Sequence, residues 1–204
     1  AAVCFATSGP GAMNLLTAIA DAKLDSIPIV AITGQVPTSL IGTDAFQEVD
    51  TFGLSFPITK HSYLVKKAKD LLEVIPEAFR IAESGRPGPV LIDIPKDVQM
   101  EVCSFKAFPK PGVKEAPAAY GAKTSLYAAR EFIRTARTPV LIAGGGILHS
   151  EACPQLRQLA EKNHIPVAVT LMGLGAFPAD HPLHVGMLGM HAAQYTNFLM
   201  DEAD

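Results

Sequence analysis

Thr7-Ser8-Gly9-Pro10-Gly11-Ala12-Met13-Asn14 decides how the chain folds. The residues before it, Ala2-Val3-Cys4-Phe5-Ala6, are apolar and short, as in a buried strand. The residues after it, Leu15-Leu16-Thr17-Ala18-Ile19-Ala20-Asp21-Ala22, are helix formers with their apolar positions on one side. The octamer is therefore a strand-to-helix turn. Two glycines around a proline let the backbone bend sharply and let a flat ligand approach the main chain. Pro10 suits the first helical turn, where a missing N–H costs nothing. Free N–H groups at such a helix start favour an electron-rich or anionic ligand. On these residues alone a ligand-binding turn and a plain glycine-rich βα turn carry equal weight.

Working outward, Ile27-Pro28-Ile29-Val30-Ala31-Ile32-Thr33 and Val90-Leu91-Ile92-Asp93-Ile94 are apolar runs rich in β-branched residues, as expected of strands buried on both faces of a parallel sheet. Gly34-Gln35-Val36-Pro37-Thr38-Ser39 reads as a loop at a strand's C-terminal end, where open α/β sheets bind ligands. Residues 41–51 read as loop passing into a short helix. Leu72, Ile75, Phe79 and Ala82 have helical spacing, with Pro76 expected close to the start of the regular helix. Gly85-Arg86-Pro87-Gly88-Pro89 then breaks the helix. This alternation is a doubly wound α/β layout.

Residues 101–122 lose periodicity and gather prolines, glycines and lysines, which reads as a linker. The expected division is thus 1–100, a linker over 101–122, and a second α/β unit over 123–204. That unit reads as a helix through Leu126, Ala129 and Ile133, strand 139–143, turn Gly144-Gly145-Gly146, a helix through Leu156 and Leu159, and strand 165–170. Residues 172–190 read as loop. The chain opens straight into a strand and closes just after a helical run, so it is expected to be an internal piece of a larger protein, both units incomplete.

With 204 residues, 49% hydrophobic and a net charge of −3, the composition is that of a globular protein with no electrostatic call for nucleic acid or an anionic membrane. No apolar run reaches the roughly 18 residues of a membrane span. Cys4, Cys103 and Cys153 are scattered and odd in number, as for reduced thiols in a cytosol-like compartment. His181, His184 and His191 match no zinc spacing, so no metal ligands are assigned. Gly144-Gly145-Gly146 could admit a diphosphate or form an ordinary βα turn. Arg86 could grip a phosphate or a ring edge, or act as a helix-terminal cation. Lys96 stands at a cleft-facing position but has the solvated role of most lysines as its alternative.

Five segments in order carry a resemblance: Thr7-Ser8-Gly9-Pro10-Gly11, Ala31-Ile32-Thr33-Gly34-Gln35-Val36-Pro37, Ile41-Gly42-Thr43-Asp44-Ala45-Phe46-Gln47-Glu48, Ser84-Gly85-Arg86-Pro87-Gly88-Pro89-Val90 and Asp93-Ile94-Pro95-Lys96-Asp97. With Leu188-Gly189-Met190-His191, they closely resemble the large catalytic subunit of the acetohydroxyacid (acetolactate) synthase family, over essentially the whole chain. The resemblance implies a pyrimidine-binding α/β domain and the start of a central α/β domain. The implied reaction is thiamine diphosphate-dependent decarboxylation of pyruvate and transfer of its two-carbon unit to pyruvate or 2-ketobutyrate, toward valine, leucine and isoleucine.

It further implies Gly9, Pro10, Asn14 and Gln47 against thiamine diphosphate, with Gln47 reaching the catalytic centre. Pro37, Ala45, Phe46 and Lys96 would line the substrate channel. Arg86, Gly144, Gly145, Gly146, Thr170, Leu171, Met172, Gly189, Met190 and His191 would surround FAD, which has no net redox role in this family. The family's activating glutamate lies upstream of Ala1, and the diphosphate and Mg²⁺ site lies in a further domain, so this piece alone is expected to be inactive. Ala192 stands where the family commonly has Gly, which could crowd the flavin. The implied assembly is a homodimer or tetramer with a regulatory subunit, in the cytoplasm, or in a plastid for a plant parent. The competing expectations are another thiamine diphosphate decarboxylase, oxidase or carboligase, and a nucleotide-binding module without catalysis.

Overall fold

Apolar runs without polar alternation suit strands with both faces covered. The computed structural model, which describes residues 1–109 and 123–204, places the central runs there, whereas residues 2–6, read as a buried strand, lie at the sheet edge with Val3 and Phe5 exposed. The chain divides into two units, Ala1–Ala119 and Tyr120–Asp204.

The first unit runs β1 (Ala2–Ala6), α1 (Pro10–Asp25), β2 (Ile29–Gln35), α2 (Thr51–Ser55), β3 (His61–Leu64), α3 (Leu71–Glu83), β4 (Val90–Pro95) and α4 (Lys96–Met100). The strands form one parallel sheet in the order β1-β2-β4-β3. Alternation along β2 and β4 assigns the faces. Val30, Val90, Ile92 and Ile94 pack with Ala78 and Ala82 of α3, while Ala31 and Leu91 pack with Ile19 of α1 on the other side. Helices thus cover both faces, as in a doubly wound sheet. Leu71, Val74, Ile75, Ala78, Phe79 and Ala82 make one helical stripe on α3, and the two alanines, both fully buried, let the helix lie close to the sheet.

The second unit runs α5 (Lys123–Thr135), β5 (Leu141–Ala143), α6 (Gly145–His149), α7 (Cys153–Asn163), β6 (Val167–Val169), β7 (His184–Met187) and α8 (Gln194–Glu202). Its strands form a second parallel sheet in the order β5-β6-β7. Leu156 and Ala160 of α7 pack on Ala143, Val167 and Val169, with Phe177 closing the cluster.

Several boundaries differ from the expectations. Gly34 and Gln35 are not loop: they pair with Ile94 and Pro95 and extend β2. β3 was not foreseen, because its sequence His-Ser-Tyr-Leu is half polar; its buried Ser62 is held by the hydroxyls of Ser55 and Thr59 at 2.8 and 2.9 Å. α3 begins at Leu71, with Pro76 inside it rather than near its start. The strands expected over 139–143 and 165–170 are trimmed to 141–143 and 167–169, and Gly145 and Gly146 open α6 instead of forming a turn. The expected loop over 172–190 contains β7, whose His and Gly residues hide its strand character. Of the linker over 101–122, residues 101–109 lie in the first unit after α4 and carry no helix beyond it or strand; 110–122 lie outside the described residues.

Because Ala78 is fully buried between α3 and the sheet, Ala78→Leu should overpack this contact. The expected loss is about 1–3 kcal/mol, read as a lower midpoint in urea unfolding.

Candidate functional site

Parallel strands bring their C-terminal ends to one edge. In the first unit that edge carries the turn after β1, the loop after β2 and the start of α4. A crevice of about 420 Å³ opens there, lined by residues 5–8, residues 32–35, Ile94, Lys96 and Gln99. A larger apolar groove of about 710 Å³ runs along α3 past Leu72, Ile75, Phe79, Phe105 and Phe108, and none of the candidate residues lines it.

Gly9 caps α1 with φ 58° and ψ −115°, and Pro10 follows at the first helical position. A Cβ on Gly9 would stand 2.5 Å from the Gln47 carbonyl oxygen and 2.9 Å from its Cα. The turn and the 41–48 loop therefore meet backbone to backbone. Gln47 and Asp44 are themselves left-handed, with φ 62° and 56°. That conformation costs a side-chain-bearing residue about 1–3 kcal/mol and persists only when its surroundings hold it.

Two devices hold it. The Glu48 carboxylate accepts backbone N–H groups from Gly42 at 2.5 Å, Thr43 at 3.2 Å and Ala45 at 3.3 Å. These bonds, the Gly42 one foremost, lower its pKa. On the other side, Gln35 Nε2 donates to the Val49 carbonyl at 2.8 Å and to Asp93 Oδ2 at 3.0 Å, while the Thr33 hydroxyl donates to Asp93 Oδ1 at 2.6 Å. Asp93 is 1% exposed, and burial raises its pKa to about 6 against the opposing pull of Thr33 and Gln35, with the Asp50 charge adding to the rise. Two further bonds tie α4 to the loop after β2: Asp97 accepts the Thr38 N–H at 3.0 Å, and its other oxygen accepts the Thr38 hydroxyl.

The candidates fall into groups. Gly9 and Gln47 touch, and Lys96 shares the crevice with Thr7 and Ser8. Pro10 and Asn14, exposed on the first turns of α1, Pro37 and Ala45, both half-buried, and Phe46, 88% exposed, belong to the segments flanking the crevice rather than to its lining. Arg86 stands elsewhere. It precedes β4, on the opposite sheet edge, and its guanidinium donates to the Ser26 hydroxyl at 2.7 Å and the Leu24 carbonyl at 2.8 Å at the C-terminus of α1.

In the second unit the remaining candidates share one edge. Gly144, Gly145 and Gly146 follow β5, Thr170, Leu171 and Met172 follow β6, and Gly189, Met190 and His191 follow β7. A Cβ on Gly145 would lie 3.0 Å from the Met172 carbonyl, and Thr170 Oγ1 accepts the Gly173 N–H at 3.1 Å. Ala192 donates its N–H to the Gly189 carbonyl at 3.0 Å.

His181 bridges Glu161 and the Leu183 N–H, both at 3.1 Å, and packs with His184 around Phe177. Among the described residues no three or more His, Cys, Asp or Glu side chains gather as a metal site would need, and no helix is long and apolar enough to cross a membrane.

Sequence reasoning missed Gln35, Glu48 and the tie that Asp93 makes. It also missed Asn197, whose side-chain amide pairs with both the N–H and the carbonyl of Gly189, each at 3.1 Å. Only Asp93 left a signal, as the lone charge inside an apolar strand.

Comparison with known proteins adds a separate line. Residues 1–54 match the family model for the thiamine pyrophosphate enzyme N-terminal TPP binding domain, and residues 126–204 match that for the central domain. The acetolactate synthase isozyme 1 large subunit of Escherichia coli K12 is 56% identical over 203 residues, covering 100% of this chain and 36% of that protein. An acetolactate synthase of Mycobacterium leprae is 56% identical over 192 residues, 93% of this chain and 30% of that protein. A probable acetolactate synthase large subunit of Methanocaldococcus jannaschii is 49% identical over 209 residues, 100% of this chain and 35% of that protein. The chain thus spans about a third of the length of these relatives.

Gly9→Ala should place a methyl group against the Gln47 backbone and strain φ, costing about 2 kcal/mol or more in urea unfolding. Because the pKa of Asp93 is raised from 3.8 to about 6, its contribution to stability is greatest below pH 4 and declines as pH rises toward 6. Asp93→Asn should therefore gain stability relative to the wild type between pH 4 and pH 7, measured as the difference in unfolding midpoint; a difference independent of pH would contradict this.

Proposed function

Because the chain belongs to the acetolactate synthase large-subunit family of thiamine pyrophosphate enzymes, we propose that it supplies the pyrimidine side of a thiamine diphosphate site in a larger acetolactate synthase. The observation that carries this is the backbone contact of Gly9 with Gln47 beside the crevice at the sheet's C-terminal edge.

The residues suit the group. The crevice volume of about 420 Å³ lies within the usual range for small-ligand sites. Gly34 lines the crevice beside the turn, where a Cβ would stand 3.4 Å from the Ser8 backbone nitrogen, an ordinary contact. Thiamine diphosphate supplies the electron sink that makes decarboxylation of pyruvate and formation of the new carbon–carbon bond possible.

The chain's own residues orient and enclose. Gly9 and the Pro10 ring form a rigid edge beside the crevice, and Asn14 stands one helical turn further on. Gln47 presents an amide that both donates and accepts. Phe46, Pro37 and Ala45, in the segments that flank the crevice, would offer apolar surface to a substrate channel. Lys96 places a cation where a 2-ketoacid carboxylate would enter.

The edge of the second unit that carries Gly144, Gly145, Gly146, Thr170, Leu171, Met172, Gly189, Met190 and His191 would hold FAD against main-chain N–H groups. Two observations suit that assignment: the close approach of Gly145 to Met172, and the open space around Gly146. The diphosphate and Mg²⁺ belong to a part of the parent beyond this chain. The parent acts as a cytoplasmic homodimer or tetramer, and the large-subunit names of the relatives support a smaller regulatory partner.

The test is a product assay on the full-length parent with pyruvate, alone and with 2-ketobutyrate. Acetolactate and acetohydroxybutyrate should form only when thiamine diphosphate and Mg²⁺ are supplied. Absence of any hydroxyacid product would overturn the proposal.

A further inference from the structure

We infer that Asp93, acting through Gln35, is a positioning residue that holds the Gln47 backbone against the Gly9 turn. The inference rests on the proposed site, in which Gln47 faces the cofactor.

The geometry leaves Gln35 little choice. Its Oε1 accepts the Val36 N–H at 2.8 Å, which fixes which way the amide points. Both hydrogens of Nε2 are then committed, one to the Val49 carbonyl and one to Asp93. Val49 lies two residues beyond the left-handed Gln47, so its carbonyl is the anchor for the C-terminal side of that residue. The N-terminal side has its own staple in Glu48. Gln35 is 5% exposed and Thr33 and Asp93 are each 1% exposed, so water does not substitute for these bonds.

The cost of the arrangement argues for a purpose. Asp93 sits on β4 between Ile92 and Ile94, where an apolar residue would pack without a desolvation penalty. What a carboxyl adds there is acceptance on both oxygens: one takes the Thr33 hydroxyl and the other takes the Gln35 N–H that would otherwise be orphaned. The chain β4–Asp93–Gln35–Val49 links a strand in the sheet interior to the loop that meets the Gly9 turn. A buried polar network that is fully satisfied in this way specifies one arrangement of the segments it joins. Displacement of a catalytic segment by about 1 Å is enough to cost up to about a hundredfold in rate.

The experiment is steady-state kinetics on the full-length parent with thiamine diphosphate, Mg²⁺ and pyruvate. Gln35→Met, near the same volume but without donors, should lower kcat about tenfold with KM for pyruvate changed less than about threefold. The same substitution in a Gln47→Ala background should cost less than about threefold, because the group being positioned is already gone. Asp93→Leu should behave like Gln35→Met. Asp93→Asn should recover most of that loss, since its Oδ1 can still accept from Gln35 while its amide faces a rotated Thr33 hydroxyl. An equal loss from Gln35→Met in both backgrounds, or a lowered Tm with unchanged kcat, would overturn the inference.

Should Gln35→Met not fold, Thr33→Val removes a single hydroxyl. It should lower kcat about threefold, again only when Gln47 is present; an equal loss in both backgrounds counts against the inference. Failure of the underlying site reading looks different. In that case neither Gly9→Ala nor Gln47→Ala changes the thiamine diphosphate concentration needed for half-maximal activity. If those two variants raise it while Gln35→Met leaves kcat intact, the positioning role alone is wrong.

Discussion

The close approach of Gly9 to the Gln47 backbone is the contact on which the candidate site depends. It needs a residue without a Cβ at position 9 and a left-handed φ at position 47, and both are present. Each is unfavourable or rare for an ordinary residue, and each is sustained by what lies behind it. Pro10 starts α1 directly after the turn, so the helix pins one side. The Glu48 carboxylate and the Gln35 amide pin the other. Two backbone segments held from behind in this way are preorganised beside the crevice, and preorganisation lowers the ordering cost of binding.

The sheet sets where this can happen. Because β1, β2 and β4 are parallel and adjacent, their following segments emerge at one edge, and three stretches far apart in the chain become neighbours. The same logic repeats in the second unit, where the segments after β5, β6 and β7 share an edge. There the packing is again glycine-dependent: a Cβ on Gly173 would collide with the Ala143 carbonyl at 2.2 Å. Arg86 illustrates the converse. It lies before a strand rather than after one, so the fold delivers it to the other edge, where it closes the C-terminus of α1.

Stability and site geometry draw on different residues. The bulk of the first unit is held by aliphatic contacts between α3, α1 and the two faces of the sheet, a non-directional term proportional to buried area. That packing would tolerate many substitutions of similar volume. The polar cluster of Thr33, Gln35 and Asp93 is directional and buried in the same sheet, at its C-terminal end. It opposes packing, as the raised pKa of Asp93 records, and specifies the loop that the packing by itself would leave free.

By itself the sequence determined the α/β class, the two units, the strand-to-helix turn at Gly9 and the family, because these follow from hydrophobic period, glycine and proline punctuation and motif order. β3 and β7 escaped it because half-polar strands carry no clean period, and Pro76 misled it because a helix packed along a sheet can absorb one lost hydrogen bond. The resemblance already implied Gly9 and Gln47 at one cofactor; the tertiary structure supplied their backbone contact, and it alone decided that Gln35 reaches both Val49 and Asp93, that Asn197 clasps Gly189, and that Arg86 faces the other way. Local preference is written in neighbouring residues. Contact between residues many positions apart depends on strand order and register, and those are settled only when buried area and satisfied polar groups are balanced over the whole unit.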